Sequence, residues 1–197
     1  MSTPHPIEAE SIRKFTRAYG LMADPPWLPI AAWIASVPLL SYLGYVGSSV
    51  FWLSLLAAAA ATAIATRWYR RTYGVVAPSQ PKPLVARPVT GIVLLVAMFA
   101  LEVIASSSNL DVRLGILLFG AYLAWGAVSS GGFRKHLFVL AAICALLAFL
   151  PLVIGDSQLQ GVVIQTAFGL GWCFVCVADH RVVQRNLALH AADHYGR

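Results

Sequence analysis

Glu102 is the only acidic residue within the long apolar blocks of this sequence. A charged side chain in membrane hydrocarbon costs at least a few kcal/mol, so such a residue is by default a candidate site for a solute or a proton. The alternative is a structural carboxylate. Glu102 lies about one helical turn, roughly 6 Å, before Ser106 at the end of its block. At that depth it can reach the interface or pair with Arg113.

Three other polar side chains are expected at the depth of Glu102. Tyr42, Ser54 and Gln165 each lie about one turn from the same end of their own apolar block. If the four side chains face one another, they form a polar layer that can bind a small solute or relay a proton. In that case Glu102→Gln should keep the fold and abolish transport.

Thiol chemistry has weaker support. Cys173 and Cys176 form a CxxC pair. A reactive thiolate needs a helix N-terminus or nearby positive charge, whereas this pair lies late in an apolar block and close to Asp179. We therefore interpret both cysteines, and Cys144, as small apolar packing residues.

Metal and cofactor chemistry also lack a complete motif. His190 and His194 have the i, i+4 spacing of two zinc ligands on one helical face, but a zinc site needs three or four ligands. The sequence contains no P-loop, GxGxxG, GxSxG or HExxH motif. We expect no catalytic residue, no metal and no cofactor.

The elements that must position these residues are six apolar blocks. The chain has 197 residues, of which 59% are hydrophobic and 11% charged, against about 25% charged in an ordinary soluble domain. Blocks of roughly 17 to 25 apolar residues can cross a bilayer as helices. We predict an all-α integral membrane protein with spans at residues 27–46, 50–66, 89–105, 114–129, 137–154 and 161–178.

The basic residues predict the orientation of these spans. Thirteen of the 14 Lys and Arg lie on one side of the six-span model, and Arg113 alone lies on the other. Cationic loops remain in the cytoplasm, so both termini and the loop 67–88 are expected there, in a cell inner (plasma) membrane. We expect cations on this side to set the orientation and to contact anionic lipid headgroups, namely Arg67, Arg70, Arg71, Arg134, Lys135 and Arg181. Because the cations flank apolar blocks and form no groove or recognition helix, we expect no nucleic acid partner.

Loop lengths divide the chain into three parts. Residues 1–26 form an N-terminal cytoplasmic segment, in which residues 7–22 place Ile12, Phe15 and Tyr19 at helical spacing. This predicts a short amphipathic interfacial helix, with a solvated leader as the alternative. Residues 27–178 are the transmembrane domain, whose short outer connections group the spans into three antiparallel hairpins. Residues 179–197 are a cytoplasmic tail.

Small residues predict how the spans pack. The second span contains a run of alanines, 57–61, and we expect it to be the most buried helix, because neighbouring backbones can approach it closely. Glycines of the fourth and sixth spans should permit similar contacts. Pro38 and Pro151 should mark bends.

Three function classes remain. We favour a non-enzymatic membrane component, as an accessory subunit or a homo-oligomer, because soluble domains are absent and polar groups in the spans are few. The second class is a small-solute or ion/proton transporter that uses the layer around Glu102. The third is a thiol or metal enzyme that uses Cys173 and Cys176 or the tail histidines.

Overall fold

The computed structural model describes residues 25–73, 86–130 and 134–195. Within these ranges the chain forms no strand and six α-helices: α1 (Leu28–Tyr42), α2 (Ser48–Tyr73), α3 (Ala86–Ser107), α4 (Leu114–Ser129), α5 (Leu137–Ala148) and α6 (Ser157–Tyr195). Short 3-10 turns, Pro25–Trp27 and Leu150–Leu152, precede α1 and follow α5. The prediction of an all-α chain with six helices is confirmed.

The helix bounds agree with the apolar blocks at some ends and extend past them at others, whereas α1 and α5 end before their blocks do. α4 begins and ends at the predicted residues. α2 continues through the basic segment to Tyr73, because no proline interrupts it there. α5 ends before Pro151, which lacks an N–H donor and lies in the second 3-10 turn. The predicted interfacial helix at 7–22 lies outside the described residues, as does most of the loop 67–88.

The six helices pack side by side in an open row. The extensive contacts run in the spatial order α3, α4, α5, α6, α1 and α2. The helices also share two ends along their axes. At the end that we call the basic end, α2 finishes at Tyr73, α5 begins at Leu137 and α6 passes Asp179. The far end is where α4 begins at Leu114 and α6 begins at Ser157.

A close helix contact joins α1 to α6 at Gly169. A Cβ atom added at Gly169 would lie 2.6 Å from Ala35 Cα and 2.8 Å from the carbonyl carbon of Ile34. Gly120 likewise lies against α5, where an added Cβ would be 3.1 Å from Cys144 Cβ. The prediction that glycines of the fourth and sixth spans permit close packing is confirmed at these two positions, because an added Cβ would clash with backbone at Gly169 and would be tightly packed at Gly120.

A small core lies where α4, α5 and α6 meet. Leu137, Leu140 and Val175 are buried there against Ala127. The large apolar side chains elsewhere are mostly exposed, and Phe99 on α3 is 72% exposed. Outside this core, most of the large apolar residues therefore lie on the surface of the molecule.

The expectation that the second span is the most buried helix is wrong. Only Thr62 and Tyr69 of α2 are buried, and 6% of its most apolar 18-residue window lies inside the protein. α2 is the last helix of the row and packs mainly on α1 and the first 3-10 turn. Small side chains permit close packing, but they do not determine where a helix lies in the row.

Two helices, α2 and residues Ser157–Arg185 of α6, have the length and composition needed to cross a membrane. Three further apolar segments are shorter. They are Ile92–Ser107 in α3, Leu114–Ser129 in α4, and Leu137–Leu152 in α5 with its 3-10 turn.

Candidate functional site

A buried ion cluster lies at the basic end of the described chain. Asp179 on α6 is 0% exposed. Arg134 donates from Nε to Oδ1 at 3.2 Å and from Nη2 to Oδ2 at 2.8 Å. His136 Nε2 lies 2.6 Å from Oδ1. Because a carboxylate only accepts hydrogen bonds, the imidazole donates from Nε2. Asp179 thus holds two basic side chains from the α4–α5 connection.

Local structure at the end of α4 positions this connection. Ser130 Oγ accepts a hydrogen bond from the Arg134 backbone N–H at 3.1 Å and donates one to Ala127 O at 2.7 Å. The serine thus fixes the chain where it leaves α4. Backbone bonds from Leu137 N to Arg134 O and from Val139 N to His136 O then start α5. Arg134 and His136 therefore project toward α6 from a short, well-bonded turn.

The cluster joins the α4–α5 connection to α6 through hydrogen bonds and charge attraction. A two-point Arg–carboxylate contact is among the strongest charge-assisted interactions in proteins, and its geometry fixes both partners. The imidazole takes a further site on the carboxylate and shields it from solvent. The arrangement fastens the α4–α5 connection to α6, and no nucleophile of the described residues is bonded to the imidazole.

Aromatic rings extend the contacts of the basic end to α2. The His180 ring lies 5.9 Å from the Tyr69 ring and 5.8 Å from the Tyr73 ring, edge to face in both cases. Trp27 stacks on Trp172 at 6.1 Å. Residues 179 and 180 of α6 therefore contact the connection before α5 on one side and the end of α2 on the other.

A second polar cluster lies at the far end and contains Glu102. Its Oε1 accepts a hydrogen bond from Gly115 N at 3.0 Å, and its Oε2 lies 3.8 Å from Arg113 Nη1. Arg113 also donates to Gln160 Oε1 at 2.8 Å, and Gln160 donates to Ile154 O at 2.6 Å. Glu102 thus contacts Arg113, as the structural alternative of the sequence analysis expects.

The four residues of the predicted polar layer do not gather around Glu102. Ser54 accepts a hydrogen bond from Trp33 Nε1 at 3.0 Å and donates to Phe51 O at 2.8 Å. The side chains of Tyr42 and Gln165 are exposed. Because α3 and α2 lie at opposite ends of the row, α4, α5, α6 and α1 separate Glu102 from Ser54.

The predicted headgroup cations have two different environments. Five of them are exposed, namely Arg67, Arg70, Arg71, Lys135 and Arg181. Arg134 is buried, because its guanidinium is bound to Asp179. Contact with lipid headgroups stays a prediction for the exposed five, whereas the charge of Arg134 is directed into the protein.

The candidate thiol and metal residues are not joined into a site. Cys144 and Cys176 are buried, Cys173 is partly buried, and none of the three is in a disulfide. No group of three or more potential metal ligands occurs within the described ranges. α6 continues as a helix to Tyr195, but the side chains of His190 and His194 lie outside the described residues.

The pairing of Arg134 with Asp179 was not predicted from the sequence. The arginine was expected among the headgroup cations, and Asp179 was considered as a negative charge near the cysteines. The available signal was charge complementarity. Asp179 directly follows the sixth apolar block, and the six-span arrangement places it on the same side of the membrane as Arg134. The buried two-point contact depends on how α5 packs against α6, which the sequence does not specify.

No family model matches this chain, and neither a curated protein nor a solved structure is similar to it.

Proposed function

We propose that the protein is a non-enzymatic component of the inner membrane that crosses it six times, keeps both termini in the cytoplasm and acts by assembling with another membrane chain. The partner is an accessory-type neighbouring subunit or a second copy. The observation that carries the proposal is the exposure of α2, a long apolar helix of which only Thr62 and Tyr69 are buried.

Surface composition supports insertion into lipid. Large apolar side chains are exposed along the row, including Leu95, Leu146 and Val153, which are 69% to 83% exposed. Water-soluble monomers rarely expose continuous apolar surface of this extent. Lipid tails solvate such side chains without cost. The shorter helices can be accommodated by local thinning of the bilayer.

The charge distribution supports the proposed orientation. The basic end carries the exposed cations Arg67, Arg70 and Arg71, and Trp27 and Trp68 are exposed near them. Cations beside amphipathic rings are typical of the cytoplasmic interface. α6 continues past this end to Tyr195, which is consistent with a helical tail in the cytoplasm.

The outer face of α2 supports assembly. Ala57, Ala60 and Ala61 are exposed there beside Ile64. Small residues let a neighbouring helix approach closely, and close van der Waals packing is the main source of helix association in membranes. α3, the helix at the other end of the row, instead exposes large side chains such as Phe99 and Val96, which fit disordered lipid.

Disulfide or bifunctional thiol cross-linking in native membranes tests the proposal. Ala60→Cys places a thiol on the outer face of α2, and the matched control Val96→Cys places one on the exposed face of α3. Cross-links at position 60 and none at 96 are expected. A product of twice the chain mass identifies a second copy, and a product with another chain identifies a partner subunit. Equal absence of products at both positions would contradict assembly through α2.

The transport alternative receives no geometric support. Glu102 is engaged by Gly115 and Arg113, and the residues expected beside it lie elsewhere. Two surface grooves stand out in the described residues, and neither is lined by Glu102, Tyr42, Ser54 or Gln165.

A further inference from the structure

A groove runs along one face of α2, next to the face proposed for assembly. It is open to the surface on one side and has a volume of about 660 Å³. This volume lies within the range of about 300 to 1,000 Å³ found for small-molecule sites. Its floor is made of the small side chains of Ala59, Thr62, Ala63 and Thr66, and Trp27 forms one wall. The i, i+3, i+4, i+7 spacing of the four floor residues keeps them on one helical face.

Three arginines line the basic end of the groove. Arg70 continues the helical face of the floor, Arg67 and Arg71 lie toward the adjoining face of α2, and each of the three is exposed. None of them forms an ion pair with another described residue. Like charges three and four residues apart on a helix repel one another, so a bound anion would stabilise this face. The charge of the groove end is therefore complementary to a phosphate group.

The order of polar and apolar groups along the groove matches an amphiphile. By helix rise, Thr62 lies about 7.5 Å below Arg67, and Ala59 lies about 12 Å below it. Thr62 is 8% exposed and its hydroxyl has no hydrogen-bond partner among the described residues. An ester carbonyl near this depth could accept a hydrogen bond from that hydroxyl after rotation about χ1. Free phosphate would leave the apolar part of the groove unused.

We propose that this groove binds one anionic diacyl phospholipid. Its phosphate contacts Arg67, Arg70 and Arg71, and one acyl chain lies against Ala63 and Ala59 beside Trp27. The site rests on the membrane insertion proposed above. It does not require assembly, because Ala60 and Ile64 do not line the groove.

Native mass spectrometry of the purified full chain, with phosphatidylglycerol and phosphatidylcholine added at equal concentrations, tests the site. A retained phosphatidylglycerol adduct is expected. Removing one arginine should weaken it about fivefold, so Arg67→Gln with Arg70→Gln should weaken it about 25-fold. Ala63→Leu should also reduce the adduct, because it fills the groove without changing charge. The matched controls are Ala60→Leu on the outer face of α2 and Arg185→Gln on α6.

The outcomes separate the site from simpler explanations. Equal binding of the two lipids, or equal loss in the variants and their controls, would overturn the proposal and leave the arginines as orientation signals. Competition by millimolar inorganic phosphate with no effect of Ala63→Leu would show an anion site without a lipid chain and would also overturn it. The cross-linking at position 60 reports assembly separately, so lipid binding can fail while assembly is retained, and the reverse.

Discussion

The protein contains two arginine–carboxylate clusters, one at the basic end of the helices and one at their far end, and they differ in burial. At the basic end, Arg134 contacts Asp179 through two nitrogens, and the carboxylate side chain is 0% exposed. At the far end, Arg113 lies 3.8 Å from Glu102, and their side chains are 38% and 31% exposed. Both clusters pair an arginine with a carboxylate, but their environments differ.

The difference in environment decides what each pair does for the fold. Charges screened by water attract weakly, and exposed pairs contribute about 0 to 1 kcal/mol. A buried pair need not be more stabilising than apolar residues in its place, but removing one partner leaves an uncompensated charge and costs about 3 to 5 kcal/mol. The basic-end cluster is therefore the one whose single substitutions should damage the protein.

Asp179→Asn should have the largest effect of the changes considered. It preserves side-chain volume but removes the negative charge between Arg134 and His136, so the guanidinium stays buried without a counter-ion. We expect a loss of about 3 to 5 kcal/mol in the free energy of unfolding, measured by thermal or SDS-induced unfolding of the detergent-solubilised protein.

A double substitution separates the charge effect from a general defect. Arg134→Met with Asp179→Leu removes both charges and keeps apolar volume, and it should be clearly more stable than Asp179→Asn alone. If the double variant is as unstable as Asp179→Asn, the uncompensated charge is not the cause, and the contrast between the two clusters fails.

His136→Ala should have an intermediate effect. It removes one hydrogen bond to a charged acceptor and leaves the two-point contact of Arg134 with Asp179. Hydrogen bonds to charged groups contribute about 1.5 to 3 kcal/mol, so unfolding should become easier by that amount. Lys135→Ala is the matched control, because this neighbouring cation is exposed. Equal effects of the two substitutions would show that the imidazole does not contribute to the cluster.

Helix number and several helix ends were predictable because they depend on local properties of the chain. Long apolar blocks separated by prolines and charges predict helices, and α4 has the predicted bounds. The close contacts at Gly120 and Gly169 followed from residue size alone. The possible pairing of Glu102 with Arg113 was also foreseeable, because the two residues lie on consecutive elements joined by a short connection.

The spatial order of the helices was not predictable in this way. The alanine-rich α2 was expected inside the bundle, yet it is at one end of the row. The order of helices in the row depends on long-range packing, which the composition of one helix does not encode. The faces on which Glu102, Tyr42, Ser54 and Gln165 lie were unpredictable for the same reason. Equal depth along six helices does not specify which faces meet.

Glu102→Gln should have the smallest effect. The amide oxygen of glutamine can still accept the hydrogen bond from Gly115 N, which the carboxylate now accepts at 3.0 Å. What is lost is a half-exposed ion pair, worth about 0 to 1 kcal/mol. Unfolding under the conditions used for Asp179→Asn should therefore change little.

A double-mutant cycle with Arg113→Met sharpens this expectation. Arg113 also donates to Gln160, so Arg113→Met alone should cost more than Glu102→Gln, since it removes a second hydrogen bond. The coupling between the two substitutions isolates the ion pair and should stay below about 1 kcal/mol. A coupling as large as that between Arg134 and Asp179 would mean that burial does not distinguish the two clusters. A small coupling together with a strong loss of some transport activity in Glu102→Gln would instead restore a functional role for this carboxylate.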